Sequence, residues 1–372
     1  MDRRRAKYIP QVGKAEVYDT CDATGESFHS GGRCQFVPRR LRMNIEHFVI
    51  TRFCIRKLFA DMAIDRENPR QDPLEADSLA ARLRLLGFTA SAAILGQTCR
   101  DFSWVLLVDR DLGARTRAQL EKRYGGRVRL ILHDFDPAED LLRADWLAKY
   151  FKAEPDLLIT SYLDDDDLFS RNFVEVLQAA CRHSVRGADA PAVRIFGLTQ
   201  IWLWNLLYSR IRPLGTRSDW RRPGITVPAC GFSLMCRYPE VPMSVTGLRH
   251  ADAQSLVALD CPPAHASVAE FRERLAGCLP EVPGRRWKRP GFEALSDRAG
   301  PAVMGNHLWN HQFRRILEEQ VNPKRVLGPE TFPDHPIEWE AARSFIRESR
   351  LPKRALLKLR LGALGRRLPR FG

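Results

Sequence analysis

Four consecutive aspartates, Asp164 to Asp167, follow the apolar run Asp156–Leu163 (DLLITSYL). Four carboxylates at the end of a buried strand repel one another strongly, and a divalent cation would relieve that repulsion. In an extended chain Asp164 and Asp166 project to the same side. Such a pair suits Mg²⁺ or Mn²⁺, which take oxygen ligands and fill their shell with phosphates and water. A sugar nucleotide would bring those phosphates, and the metal would neutralise charge on the departing diphosphate. The bland alternative is a helix N-cap, since Asp167 and Ser170 precede a helical segment. A cap needs one acid, so four favour the metal.

A second acid, Asp109, ends the apolar run Ser103–Asp109 (SWVLLVD) in the order Val108-Asp109-Arg110-Asp111. That order permits a rival chemistry, a haloacid-dehalogenase-type phosphatase with Asp109 as nucleophile and Asp111 as acid. Against it, Gly113 stands where such enzymes have Thr or Val, and the strand is the second of the sheet. Cys21, His29 and Cys34 fit no zinc-finger spacing.

The elements that must hold these acids follow from the hydrophobic period. His47–Phe53 reads as a strand, Asp77–Gly87 as a helix and Phe88–Gln97 as a second helical segment. Ser103–Asp109 is a strand buried on both faces; a polar helix spans Arg115–Tyr124 and stops at Gly125-Gly126. Val128–His133 and Asp156–Leu163 are further strands, Asp136–Phe151 carries a helical period, and a helix opens at Ser170 and runs through Cys181. Alternating strands and helices with continuous apolar strands predict an α/β fold with a mostly parallel sheet. Ligands of such sheets bind at the carboxyl ends of the strands, where Asp109 and the aspartate run both fall. Beyond residue 185 the pattern weakens. Trp202, Trp204 and Trp220 lie among arginines, Gly231–Cys236 looks like a strand, and residues 262–300 read as loops.

The chain has 372 residues, enough for a large core, and 44% hydrophobic residues, which excludes a wholly disordered protein. There is no run of eighteen apolar residues, and no apolar segment follows Arg3-Arg4-Arg5. No transmembrane helix and no secretory signal are therefore expected. Nine cysteines without a CxxC pair predict reduced thiols and a cytoplasmic protein. The net charge is +14, of which residues 1–42 carry +4 and residues 350–372 carry +8, leaving +2 for the residues between. A nucleic-acid-binding body would be basic itself, so no nucleic-acid partner is expected. The expected organisation is an N-terminal extension (1–42, disordered or non-native), a body at 43–345 with a nucleotide-sugar half (43–185) and an acceptor half (186–345), and a basic tail at 346–372. Leu357, Leu361, Leu364 and Leu368 form one stripe in that tail, suited to peripheral contact with the inner face of a membrane.

One resemblance ties the segments together. Arg84-Leu85-Leu86, Ser91 through Thr98, and Asp101-Phe102-Ser103-Trp104 through Asp109 resemble a signature of the bacterial rhamnosyltransferases. So do Thr51-Arg52-Phe53, the stretch from Ser161 to Phe169, Gly231-Phe232-Ser233-Leu234 with the later His250, and His307-Leu308-Trp309-Asn310. The resemblance spans about residues 45–315. It implies a GT-A-like glycosyltransferase fold and transfer of a sugar, rhamnose by the family label, from a nucleoside diphosphate sugar to a glycan, lipid-linked or envelope acceptor. It implies that Arg52, Gln97 and Asp109 bind the donor with Asp164, Asp165 and Asp167. The metal would lie on Asp164 and Asp166, with His307 closing over it; the null for His307 is a packed helix residue. Tyr162 stands where the family has Arg, which removes a cation near the diphosphate, and Ala90 stands where Pro is common.

An inverting transfer needs a carboxylate base near the acceptor hydroxyl, and Asp252 is the candidate in the second half. A surface-loop acid is its null. Besides the phosphatase, the competing reading is a non-enzymatic basic adaptor at a membrane surface, which has no use for the aspartate run.

Overall fold

A computed structural model describes residues 43–56, 72–186, 192–198, 200–206, 210–213, 230–246, 292–299, 302–306 and 334–349. The candidates His250, Asp252 and His307, the first 42 residues and the tail from 350 lie outside the described residues.

The strands form where β-branched and aromatic residues run together. β1 (Ile45–Phe53), β2 (Ser103–Asp109), β3 (Arg129–Phe135) and β4 (Leu157–Tyr162) come first. Every residue of β2 and β4 is buried. The large sheet has seven strands in the order β10-β6-β9-β4-β1-β2-β3, where β6 is Val193–Gly197, β9 is Ser233–Arg237 and β10 is Phe292–Ala294. The pairs β4–β1, β1–β2, β2–β3 and β10–β6 are parallel. β9 is antiparallel to both β4 and β6, so the sheet is mostly parallel and mixed.

Side chains alternate across this sheet with a period of two. Val49, Phe53, Trp104, Leu106 and Ile159 enter one core. Phe48, Ile50, Val105, Leu107, Leu158 and Tyr162 enter the other. The first core is roofed by α1 (Ala76–Phe88), α2 (Ala90–Leu95), α3 (Ala114–Tyr124), α5 (Phe173–Ser184) and α7 (Trp339–Ser349). The second is covered by α4 (Asp145–Ala148) and residues 241–245. A four-residue α6 (Ser296–Ala299) follows β10, and its Ala299 joins the first core.

Several expectations are corrected. Asp136–Phe151 is helical only over α4. Asp136 and Asp140 each accept a bond from the amide two residues on, Ala138 N at 2.9 Å and Leu142 N at 3.2 Å. These Asx turns compete with the helix. The helix expected to open over Ser170, Asn172 and Phe173 begins at Phe173, the last of the three. Ala76–Leu95 is the one described stretch apolar and long enough to cross a bilayer, and 67% of that window is buried in the protein. It is a core segment, broken at Thr89.

The weak second half hides a second sheet, ordered β5-β11-β7-β8, with β5 at Asp167–Leu168, β7 at Ile201–Asn205, β8 at Arg210–Pro213 and β11 at Ala302–Asn306. The tryptophans of β7 serve as core: Trp204 meets Phe88 and Trp339 at ring-centroid distances of 6.0 and 5.7 Å. The described cysteines, Cys54, Cys99, Cys181, Cys230 and Cys236, are all free thiols.

Candidate active site

Strand order sets the location. The chain runs outward from β1 to β2 and β3, then returns to place β4 on the other side of β1. The strand order reverses between β1 and β4, and the carboxyl ends of strands at such a switch are where an open α/β sheet places its ligand crevice. Arg52 comes from β1 and the aspartate run from the end of β4.

The run is not extended. Asp167 N donates to Asp164 O at 3.1 Å, closing a turn over 164–167. The expectation that Asp164 and Asp166 share one side of a strand therefore fails for lack of a strand there. Nor is Asp167 a helix cap. It starts β5, pairing antiparallel with Met304 of β11, and the residue before α5 is Asn172.

Arginines answer the first two acids. Arg52 presents a fork to Asp164, with Nε and Nη2 at 3.0 and 2.9 Å from Oδ1 and Nη2 at 2.9 Å from Oδ2. Its guanidinium also lies 5.0 Å from the centroid of the Tyr162 ring. Burial opposes its charge, but Asp164 and the other acids outweigh burial and hold its pKa above the usual value. Arg82 of α1 meets Asp165 Oδ2 at 2.5 Å, both side chains being largely buried. Thr89 Oγ1, at the α1–α2 junction, lies 2.7 Å from Asp165 O.

The last two acids pack against β11. A Cβ on Gly305 would lie 2.2 Å from Asp166 O, so only glycine fits there. Asp167 is buried, and burial, then the charges of Asp166 and Asp164, push its carboxyl well above the usual range. The Gly305 amide, bonded to that carboxylate, works in the opposite direction. β11 ends at Asn306, the last described residue before position 307.

Asp109 lies on the same sheet edge, at the end of β2, and is buried. Its Oδ1 accepts from Asp111 N at 3.0 Å and its Oδ2 from Arg56 N at 3.1 Å. Arg56 Nη1 pairs with Asp111 at 2.7 Å, and Arg56 Nε with Asp72 at 3.1 Å. Between Arg52 and Arg56 the chain turns at Cys54, whose φ of 56° is left-handed. Burial pushes the Cys54 thiol up, which disfavours a thiolate.

Gln97 is elsewhere. Its Nε2 donates to Ala93 O at 2.9 Å and Ser170 O at 2.8 Å, while its Oε1 accepts from Val174 N at 3.0 Å. These bonds bracket α2, the 170 loop and α5, away from the sheet edge. Arg52, Asp109 and the aspartate run are brought to one edge; Gln97 is not among them.

Arg82, Arg56 and Gly305 were absent from the sequence reading. Arg82 had a signal: it sits four residues after Ser78 and three before Leu85, on the buried stripe of its helix. A charge on such a stripe calls for a buried partner. Gly305 had none, because its constraint comes from a strand paired across the fold. Among the described residues no group of three or more His, Cys, Asp or Glu side chains could hold a metal ion.

Residues 46–194 match the family described as "Putative rhamnosyl transferase", which bears out the resemblance over that segment. The elements at 231–234, 250 and 307–310 fall outside the match. No curated protein matches the chain. Among solved structures, S. aureus TarS 1–349 in complex with UDP-GlcNAc is similar at 11% identity and a TM-score of 0.34, covering 87% of this chain and 72% of that one. The same protein in complex with UDP gives 9% and 0.32, covering 87% and 71%. A Bacillus anthracis structure described as a putative glucose-1-phosphate thymidylyltransferase gives 7% and 0.27, covering 67% and 86%. At these scores the likeness says nothing of what this chain does.

Proposed function

We propose, from the family match over residues 46–194 together with the paired acids at the β1/β4 crevice, that this chain is a glycosyltransferase using a nucleoside diphosphate sugar. The observation that carries the reading is the bidentate Arg52–Asp164 pair, set beside Asp109 on one sheet edge at the topological switch. The acceptor hydroxyl oxygen attacks the anomeric carbon, the bond from that carbon to the diphosphate oxygen breaks, and the hydroxyl proton passes to a base. Asp252 is the proposed base. A glycan or lipid-linked molecule is the proposed acceptor, and rhamnose, the sugar of the family description, the proposed cargo.

Mg²⁺ or Mn²⁺ is the proposed cation of this reaction. Asp164 is bound to Arg52; Asp166 and His307 are the proposed ligands. Burial first, and then the charges of Asp166 and Asp164, push up Asp167; a cation would relieve the second of these. When bound, the cation would neutralise the departing diphosphate.

The phosphatase reading loses ground on one geometric point. Both oxygens of Asp109 already accept backbone amides, and Asp111 is paired with Arg56, so neither is placed as nucleophile or acid. The adaptor reading leaves the arginine-braced turn without a purpose.

The test is a thermal-shift screen of UDP, dTDP and GDP and their sugars, with Mn²⁺ and with EDTA. A nucleotide at one hundred times its Kd stabilises by about 2.7 kcal/mol. Stabilisation by one nucleoside diphosphate, reduced in Asp166→Asn, is expected. A flat response to every nucleotide sinks the reading.

A further inference from the structure

Tyr162, the last residue of β4, touches both halves of the crevice. Its ring lies under the Arg52 guanidinium, with 5.0 Å from Cζ to the ring centroid. Its hydroxyl donates to Thr246 O at 2.6 Å. Its amide donates to Phe232 O and its carbonyl accepts from Gly231 N, both at 2.9 Å. Gly231 takes a φ of 73°, and a Cβ there would sit 2.9 Å from Leu198. The backbone around Tyr162 is thus fixed on both sides.

Thr246 is in turn part of a small buried network. Ser244 Oγ and Thr246 Oγ1 lie 2.7 Å apart, and Val245 N donates to Thr160 Oγ1 at 3.0 Å. Thr160 is two residues before Tyr162 on the same strand. The segment 244–246 is therefore stitched to β4 at two points. In sequence it leads into the stretch that holds His250 and Asp252.

We propose that Tyr162 is a positioning residue of this site: its ring holds the Arg52–Asp164 pair in place, and its hydroxyl fixes residues 244–246 against β4. The proposal rests on the nucleotide-sugar reading above. A guanidinium over an aromatic face gains from the ring quadrupole, most where water is excluded. Arg52 is largely buried, so the ring restricts it to the orientation that meets Asp164. The hydroxyl bond is separable from the ring, which lets two substitutions divide the roles.

The experiment compares Tyr162→Phe and Tyr162→Leu with the unaltered protein. Affinity for UDP and dTDP is measured by calorimetry with Mn²⁺ present, and hydrogen exchange is followed in peptides covering 244–246. Tyr162→Phe keeps the ring; nucleotide Kd is expected within twofold, with exchange at 244–246 faster by about tenfold. Tyr162→Leu removes both contacts; Kd is expected to rise about tenfold in addition. Melting temperatures are recorded for all three proteins. If Tyr162→Leu melts lower yet binds nucleotide with unchanged Kd, its role is only structural and the proposal fails. Unchanged exchange in Tyr162→Phe overturns the second half of it. Should the unaltered protein bind none of UDP, dTDP and GDP, the donor reading itself falls, and the proposal with it.

Discussion

Two arginines leave the end of β1 four residues apart and meet opposite circumstances. Arg52 turns into the β1/β4 crevice, where its side chain and that of Asp164 are 10% and 17% exposed. Arg56 turns to the end of β2, where it and Asp111 are 41% and 65% exposed. Both make charge-assisted bonds of similar length. The difference is water. A buried pair that loses one member strands the other in a low dielectric, whereas an exposed pair is replaced by solvent. The crevice is thus fixed by its electrostatics, while Arg56 contributes to a surface that can rearrange.

The largest expected effect breaks the buried side. Arg52→Met leaves Asp164 without its guanidinium and should cost about 3–5 kcal/mol in urea unfolding. Adding Asp164→Asn should recover part of that loss; a double variant as unstable as the sum of the singles would show that the two do not interact. Next comes Gly305→Ala, whose Cβ meets the Asp166 carbonyl at 2.2 Å. A forced backbone shift of that kind costs about 3 kcal/mol, readable as a fall in the denaturation midpoint.

A pH titration sharpens the contrast further. Asp167 keeps its proton in the folded chain at pH values where the unfolded chain has lost it. Between the unfolded value of 3.8 and the higher folded value the native state binds more protons, so this group's contribution falls as pH rises. The slope for one proton is at most about 1.4 kcal/mol per pH unit. Asp167→Asn should remove that slope, and a stability–pH curve identical to the parent's would refute the assignment. The smallest effect belongs to the exposed side. Arg56→Ala should cost about 1 kcal/mol or less in the same unfolding assay, and less still in high salt.

The same contrast explains what the sequence could and could not reveal. β2 was legible to the residue because SWVLLVD is apolar throughout and needs no distant partner to declare itself a strand. The aspartate run was legible as a site because four adjacent carboxylates are costly anywhere. What answers them was not. Arg82 lies 83 positions before Asp165, and nothing in local periodicity joins the two. The turn at 164–167 was mistaken for extended chain because its shape depends on β5 reaching β11, more than 130 residues later. The 136–144 loop failed for the opposite reason, local chemistry: two aspartate side chains captured amides that a helix would have used. Tyr162 was read as a lost cation. In the fold it is a seat for the arginine that β1 supplies.

The turn between β4 and β5 has one more consequence, for how such a chain can vary in length. β4 is held by β1 and β9 in the large sheet, and β5 is held by β11 in the small one. The segment between them is a joint of set length between two frames. One added residue would slide Asp167 off Met304 or carry Asp164 away from Arg52, flipping side chains to the wrong face of a strand. Insertions should therefore be tolerated at 136–140, the largely exposed part of the loop that turns on its own aspartates, and rejected at 164–167, where the spacing joins the two sheets.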